Sequence, residues 1–477
     1  MSKQYIDFKL YLTKPDDEQV ACQVALLPTP EVGESMRPVE VTADKAPQPI
    51  WLKQLKEKDI TPLQLLKLGK SLADCLLPEG EIRNTFKEAY EHAGREGGVR
   101  LRLIIAHNAL RQWPWEYTYL NLLGEQDKWD YFLALDPRVS FVRHEPLARP
   151  HSRLQTGDAD INRWRLMLAT AQPARERELD LDGEVKIVEE ALKDFDVDGV
   201  GITCKPILMN VTRKELMKAL QDEESPHIFH FAGHGIVKSV PDDFDFGTRQ
   251  EGYLLLVKDK EEREAYELPA EDLADMLAPA GVRLVVLGAC LSGSRSEEHP
   301  WDSVAGALVA NDIPAVVAMQ YEVYDEHAKV FSEWFYISLA SGLSLDEAMV
   351  AARKEMYRTP HPLPGKRNVE WGVPVLYSRT ADGRLFPERM ERASENATKL
   401  QLMIHQSVDT IDQGGRVIGV QARRVKGGIG IVQDVGVVQG ELTGLAAELI
   451  GKTHVDQHID RVEGGAVIGV KIQDYGA

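Results

Sequence analysis

The sequence predicts an α/β protein with a mostly parallel sheet flanked by helices, followed by a Gly/Val-rich β-repeat tail. Short apolar runs alternate with helical periodicities from about residue 160 to 380, the mark of strand–helix–strand units. Short apolar strands with helices between them fit a sheet covered on both faces. Beyond residue 391 the helical pattern stops, and glycine-marked stretches of Val and Ile recur.

Two alternating stretches, Ile6 to Leu12 and Val20 to Leu27, read as strands, and Pro28, Pro30, Pro38 and Pro47 punctuate the segment after them. From Pro62 to His92 the apolar spacing is helical: Leu63, Leu65, Leu66 and Leu68, then Leu72, Leu76 and Leu77. A strand is expected at Leu101 to Ala106, then a loop with Trp113, Pro114 and Trp115, whose indoles suit core packing better than ligand stacking. The Arg-, Pro- and Asp-rich stretch from Arg143 to Ile161 reads as a linker between lobes. Further strands are expected at Leu166 to Ala171, His227 to Phe231, Leu284 to Leu287, Ala315 to Met319 and Val373 to Tyr377. Helices are expected at Glu184 to Asp194, Arg213 to Gln221, Pro269 to Leu277, Asp302 to Asn311, Glu326 to Ala340 and Leu345 to Tyr357. In open α/β sheets, ligands bind beyond the carboxyl ends of the strands.

The tail has no aromatic residue between Phe386 and Tyr475 and no proline after Pro387. Gly414-Gly415-Arg416-Val417-Ile418-Gly419-Val420 returns as Gly464-Gly465-Ala466-Val467-Ile468-Gly469-Val470. Gly427, Gly440 and Gly451 divide the interval into steps of 13, 13, 11 and 13 residues, each long enough for two short strands and two bends. The organisation expected is therefore an N-terminal β extension at 1–50, two halves of an α/β region at 51–157 and 158–390, and the repeat tail at 391–477.

The net charge of −19, from 75 acidic and 56 basic residues, disfavours nucleic acid and anionic membrane as partners. The N-terminus lacks the apolar stretch of a signal peptide, and no segment approaches the roughly 18 apolar residues that span a bilayer. Four widely spaced cysteines, Cys22, Cys75, Cys204 and Cys290, form no CxxC, so neither a disulfide framework nor a Cys-rich zinc site is expected. These features point to a cytoplasmic protein with reduced thiols and no cofactor.

Two strand ends carry the chemistry. His227-Ile228-Phe229-His230-Phe231-Ala232-Gly233-His234-Gly235 and Arg283-Leu284-Val285-Val286-Leu287-Gly288-Ala289-Cys290 each run an apolar strand into a glycine-bearing loop that delivers one reactive side chain. A thiol must ionise to attack a carbonyl, and an imidazole on a neighbouring strand end supplies the base. The His precedes the Cys by 56 residues, near the spacing of caspases. The backbone N–H groups of Gly235 and Cys290 suit a developing oxyanion. A zinc site through His227, His230 and His234 is disfavoured because the Ala-Gly turn breaks the ligand spacing, and His230 fits better as a core or supporting residue.

The chain resembles the CHAT family of caspase-like peptidases, which are similar to separases. His230-Phe231-Ala232-Gly233-His234-Gly235 and Val286-Leu287-Gly288-Ala289-Cys290 carry the likeness. Ile313 to Gln320, Phe335-Tyr336, Glu347-Ala348 and Trp371 to Tyr377 match the family's later elements. Trp113 to Glu116 and Phe132 to Leu135 resemble its non-catalytic first half, so the likeness covers about residues 50 to 390. It implies a caspase-like fold and a Cys-His dyad with His234 as base and Cys290 as nucleophile, acting on a protein substrate. It also implies that Gln320, Tyr321 and Asp325 line the substrate cleft, where Asp302 or Asp325 could receive Arg or Lys as in separases. No tetratricopeptide pattern is present, so control is expected from the N-terminal strands, the tail or another protein.

Three readings of the tail stay open at this point: an accessory β-solenoid, disorder, or a homotypic assembly motif that switches on a latent peptidase, with bacterial defence or cell-death signalling as a role. The alternative for the whole chain is a catalytically silent adaptor recruiting partners through the tail.

Overall fold

The computed structural model describes residues 3–35, 37–94, 97–122, 131–144, 163–193, 201–241, 248–288, 300–361, 368–380 and 383, and the tail strands. The chain divides into two compact units, Met1–Met390 and Glu391–Ala477.

The first unit is built on an eleven-stranded sheet. Its strands are β1 (Gln4–Thr13), β2 (Val20–Leu27), β3 (Val39–Thr42), β4 (Gly97–Ile105), β5 (Val139–Arg143), β6 (Arg163–Thr170), β7 (Gly201–Cys204), β8 (Ile228–Ala232) and three more that come after a smaller sheet in the chain. The smaller antiparallel sheet comprises β9 (His234–Pro241), β10 (Thr248–Val257) and β11 (Ala265–Pro269). Then come β12 (Leu284–Leu287), β13 (Ala315–Met319) and β14 (Pro374–Ser378). The large sheet's order is β3-β2-β1-β4-β5-β14-β13-β12-β8-β6-β7, and its pairings are parallel except β3–β2, β2–β1 and β13–β14. Two parallel blocks thus run in opposite directions and meet at the β13–β14 pair.

The helices are α1 (Pro49–Lys56), α2 (Pro62–Leu76), α3 (Glu81–Ala93), α4 (Asn108–Arg111), α5 (Leu181–Lys193), α6 (Arg213–Leu220), α7 (Ala270–Leu277), α8 (Pro300–Ala310), α9 (Asp325–Ala340) and α10 (Leu345–Arg358). Their starts follow local chemistry. Thr61 with Gln64, Thr212 with Glu215 and Ser344 with Glu347 close reciprocal capping boxes on α2, α6 and α10. Two cores form, one on each face of the sheet. Along β12, Leu284 and Val286 enter the core shared with α5, α9 and α10, while Val285 and Leu287 enter the core shared with α6, α7 and α8. β12 and β13 are apolar throughout because both faces are covered.

The expected strands and helices of 158–390 are present, with ends shifted by up to three residues. Strands β5, β7 and β9 to β11 were not anticipated; in the second half of β9 and the first half of β10, polar residues hide the strand pattern. The N-terminal stretches do not stand apart. β1 is an interior strand, antiparallel to β2 and parallel to β4, where Tyr5 lies over Gly98 so closely that a Cβ there would come within 2.6 Å of its ring. The expected linker lies outside the described residues beyond His144.

Buried polar locks tie the first block to the rest. Arg100 of β4 donates from Nε and Nη2 to the Asp346 carboxylate of α10 at 2.8 and 2.6 Å, and Ser140 Oγ donates to it at 2.6 Å. Arg143 Nη2 meets Glu116 Oε2 and Gln320 Oε1, each at 3.1 Å. Trp115 is fully buried and Trp113 packs against it with ring centroids 5.4 Å apart, as core residues.

The second unit holds six strands, β15 (Leu402–Ile411), β16 (Arg416–Lys426), β17 (Ile429–Val438), β18 (Glu441–Ile450), β19 (Thr453–Val462) and β20 (Ala466–Lys471). They pair in parallel as two sheets, β15-β17-β19 and β16-β18-β20. Each glycine-marked step therefore carries one strand rather than two. A strand of ten residues, at about 3.3 Å per residue, uses the whole step, and the structural repeat is two steps long.

Candidate active site

The site begins with sheet register. β8 and β12 are parallel neighbours in which Phe231 stands opposite Leu287, and Gly288 N–H donates to the Phe231 carbonyl at 3.0 Å. His234 and Cys290 each come three residues after that paired position. Gly233 makes the turn to His234 through a gap that admits no side chain: a Cβ there would lie 2.7 Å from the Phe231 ring and 2.8 Å from the Ala171 carbonyl. Cys290 itself lies outside the described residues.

His234 is fully buried. Its Nε2 lies 2.9 Å from the Arg177 carbonyl oxygen, which can only accept, so Nε2 carries the proton. Nδ1 is then the basic nitrogen, and it makes no hydrogen bond among the described residues. Burial holds the imidazole pKa below its ordinary value and outweighs the opposing pull of Glu176 and the Arg177 carbonyl. The ring is consequently neutral at pH 7, with a lone pair available at Nδ1.

Gln172, just past β6, sets this geometry. Its amide nitrogen donates to the Arg177 carbonyl at 2.9 Å and lies 3.5 Å from His234 Nε2, while its carbonyl accepts from Leu179 N–H at 3.1 Å. Neither Gln172 nor the Arg177 carbonyl was anticipated from the sequence. A polar residue at the carboxyl end of a strand was the signal for the first; the second is backbone and leaves none.

Beside Gln172 opens a cleft of about 500 Å³, lined by Glu178, Asp180, Asp182, Asn210 and Asp325 among others. Asp325 begins α9 and, among the anticipated pocket residues whose side chains are described, is the one that lines it. Gln320 is turned inward: its side chain joins Arg143 and Glu116, and donates to the Gly372 carbonyl at 2.8 Å. Tyr321 packs in the α9-side core. Asp302 falls within α8, and its side chain lies outside the described residues. Gly235 sits in β9, at the edge of the small sheet, opposite Leu254. His230 points into the α5–α9 side and contacts Glu184 and Tyr336. No helix among the described residues is long and apolar enough to cross a membrane.

The family model for the CHAT domain matches residues 66–394, more than half of the chain. The chain belongs to the CHAT domain family. The match opens within α2 and passes beyond β14, so β1 to β3 of this CHAT chain precede the matched region. No curated protein matches the chain. Among solved structures it is similar to the Arg-specific cysteine proteinase gingipain R, at 10% identity and a TM-score of 0.36 over 62% of this chain and 66% of that one. It is also similar to separase in the Saccharomyces cerevisiae separase–securin complex, at 15% identity and 0.34 over 70% and 23%. The Drosophila initiator caspase Dronc gives 9% identity and 0.27 over 49% and 90%. The CHAT chain thus spans just under two thirds of the gingipain chain and less than a quarter of the separase chain.

Proposed function

We propose that this CHAT protein is a cysteine endopeptidase in which His234 and Cys290 form the dyad. The observation that carries the reading is the register of β8 and β12: it counts a buried histidine with a bare Nδ1 and a cysteine to the same distance past one paired position. Nδ1 of His234 takes the Cys290 thiol proton, and the thiolate attacks the scissile carbonyl. Backbone N–H groups of Gly235 and Cys290 receive the oxyanion. His234 then returns its proton to the leaving amine, and water hydrolyses the thioester. The Arg177 carbonyl holds the ring in one tautomer and stabilises the imidazolium that forms between those steps.

The acidic cleft favours a cationic side chain at the cleaved bond, with Asp325 and Glu178 as its partners. The peptidase is latent until assembly through residues 391–477 or a partner engages it, consistent with a role in defence or cell-death signalling. Two parallel sheets leave strand edges able to pair with a second copy, which supports assembly.

The test compares wild-type, Cys290→Ala and His234→Ala chains in a lysate, each free and artificially clustered, reading new protein N-termini by mass spectrometry. Termini seen only with wild type, and lost by more than about 10³-fold in either variant, support the dyad. Identical termini from all three, free and clustered, would leave the silent-adaptor reading instead.

A further inference from the structure

Beneath the two strand ends, on the α5–α9 side, runs a buried polar chain that the dyad does not use. His230 is fully buried in β8, with Nε2 at 3.1 Å from Glu184 Oε1 of α5 and Nδ1 at 3.0 Å from Tyr336 Oη of α9. A carboxylate accepts, so His230 Nε2–H donates to Glu184 and the Tyr336 hydroxyl donates to Nδ1. Ser332 Oγ, one turn before Tyr336, donates to the same Glu184 oxygen at 3.3 Å. On its other side Glu184 abuts the main chain of Gly288: a Cβ there would lie 2.4 Å from Glu184 Oε1 and 2.7 Å from His230 Nε2. Glu184 therefore holds β8 through His230 and lies against Gly288, the residue just past β12.

Stability alone does not account for it. The surrounding core is apolar, with Val185 and Val188 of α5, Leu284 and Val286 of β12, and Phe335 and Leu339 of α9. Burying a carboxylate costs several kcal/mol, and apolar residues of similar volume commonly hold a core as well or better. What Glu184 adds is a fixed distance between two neighbouring strands at their carboxyl ends. From there His234 lies four residues past His230, and Cys290 two past Gly288.

We infer that Glu184, with His230 and Tyr336, is a positioning residue that sets the base and the nucleophile in register with one another. This rests on the peptidase reading of the dyad. Glycine at 288 is required because the carboxylate and imidazole occupy the space a side chain would take.

The test uses full-length Glu184→Leu and Glu184→Gln, the first filling the core without the polar grip, the second keeping the shape without the charge. Two quantities are read. One is amide hydrogen exchange in peptides covering 228–234 and 284–288, against β1 and β4 as reference. The other is the iodoacetamide alkylation rate of Cys290, with Cys204, a half-buried thiol that burial pushes up to about 11, as internal reference. We expect a folded Glu184→Leu chain with exchange at the two strand ends at least tenfold faster, Cys290 alkylation at least tenfold slower, and β1, β4 and Cys204 unchanged. Glu184→Gln falls between the two. Unchanged strand-end exchange overturns the inference, as does wild-type Cys290 reactivity in a Glu184→Leu chain whose exchange has changed. If wild-type Cys290 reacts no faster than Cys204 in the artificially clustered chain as well, the peptidase reading fails, and strand-end exchange alone decides the role of Glu184.

Discussion

At the scale of single residues, the site depends on keeping one imidazole neutral and facing one way. His234 does this with a backbone carbonyl rather than a carboxylate as hydrogen-bond partner, and burial pushes its pKa down against the pull of Glu176 and that carbonyl. The ring therefore stays unprotonated down through its ordinary value of about 6.5 and charges only below it. The acid limb of kcat/KM should fall below pH 6.5, and a profile inflecting above 7 would contradict the buried setting. Burial of the neutral ring also adds stability that is present above the unfolded pKa and lost on acidification. Gln172 is the other residue to probe. Gln172→Ala removes the donor that fixes the Arg177 carbonyl, and kcat should fall on the order of 10- to 100-fold with little change in melting temperature.

Helices and strands are joined by buried charges at a few points, and Arg100–Asp346 between β4 and α10 is the clearest. Burial alone would raise the Asp346 pKa, but the Arg100 charge and hydrogen bonds, with the Ser140 hydroxyl, outweigh it and hold the carboxyl below the ordinary range. Asp346→Asn leaves Arg100 buried without that charge, which should cost about 3–5 kcal/mol in urea unfolding. Because the folded pKa is depressed, the contribution is full above the unfolded value near 3.9 and is lost as pH falls through the folded one. The difference between wild type and Asp346→Asn should therefore narrow towards pH 3. A constant difference would mean the lock is not ionic.

For the whole molecule, the division at Met390 separates a sheet with two apolar cores from a repeat unit of parallel strands. Deleting residues 391–477 should leave the main calorimetric transition of the first unit unchanged, because the described residues of its two cores all come from positions before 391. It should abolish any activation that depends on concentration. Retention of concentration-dependent activation in the shortened chain would move the assembly function elsewhere.

Several of these features were legible in the sequence because they are local. Leu284 to Leu287 reads as a buried strand, the apolar spacings from Pro62 and from Leu345 read as helices, and the glycine motifs before His234 and Cys290 read as strand ends. Tertiary structure decided the rest, because it depends on which residues meet across long separations. That β1 inserts between β2 and β4, that Gln320 is spent on Glu116 and Arg143 rather than on a cleft, and that Gln172 steers His234 through the Arg177 carbonyl are all pairings between distant positions. One chain position dictates its own backbone preference and polarity; which partner satisfies a buried donor is settled only when the two parallel blocks pack.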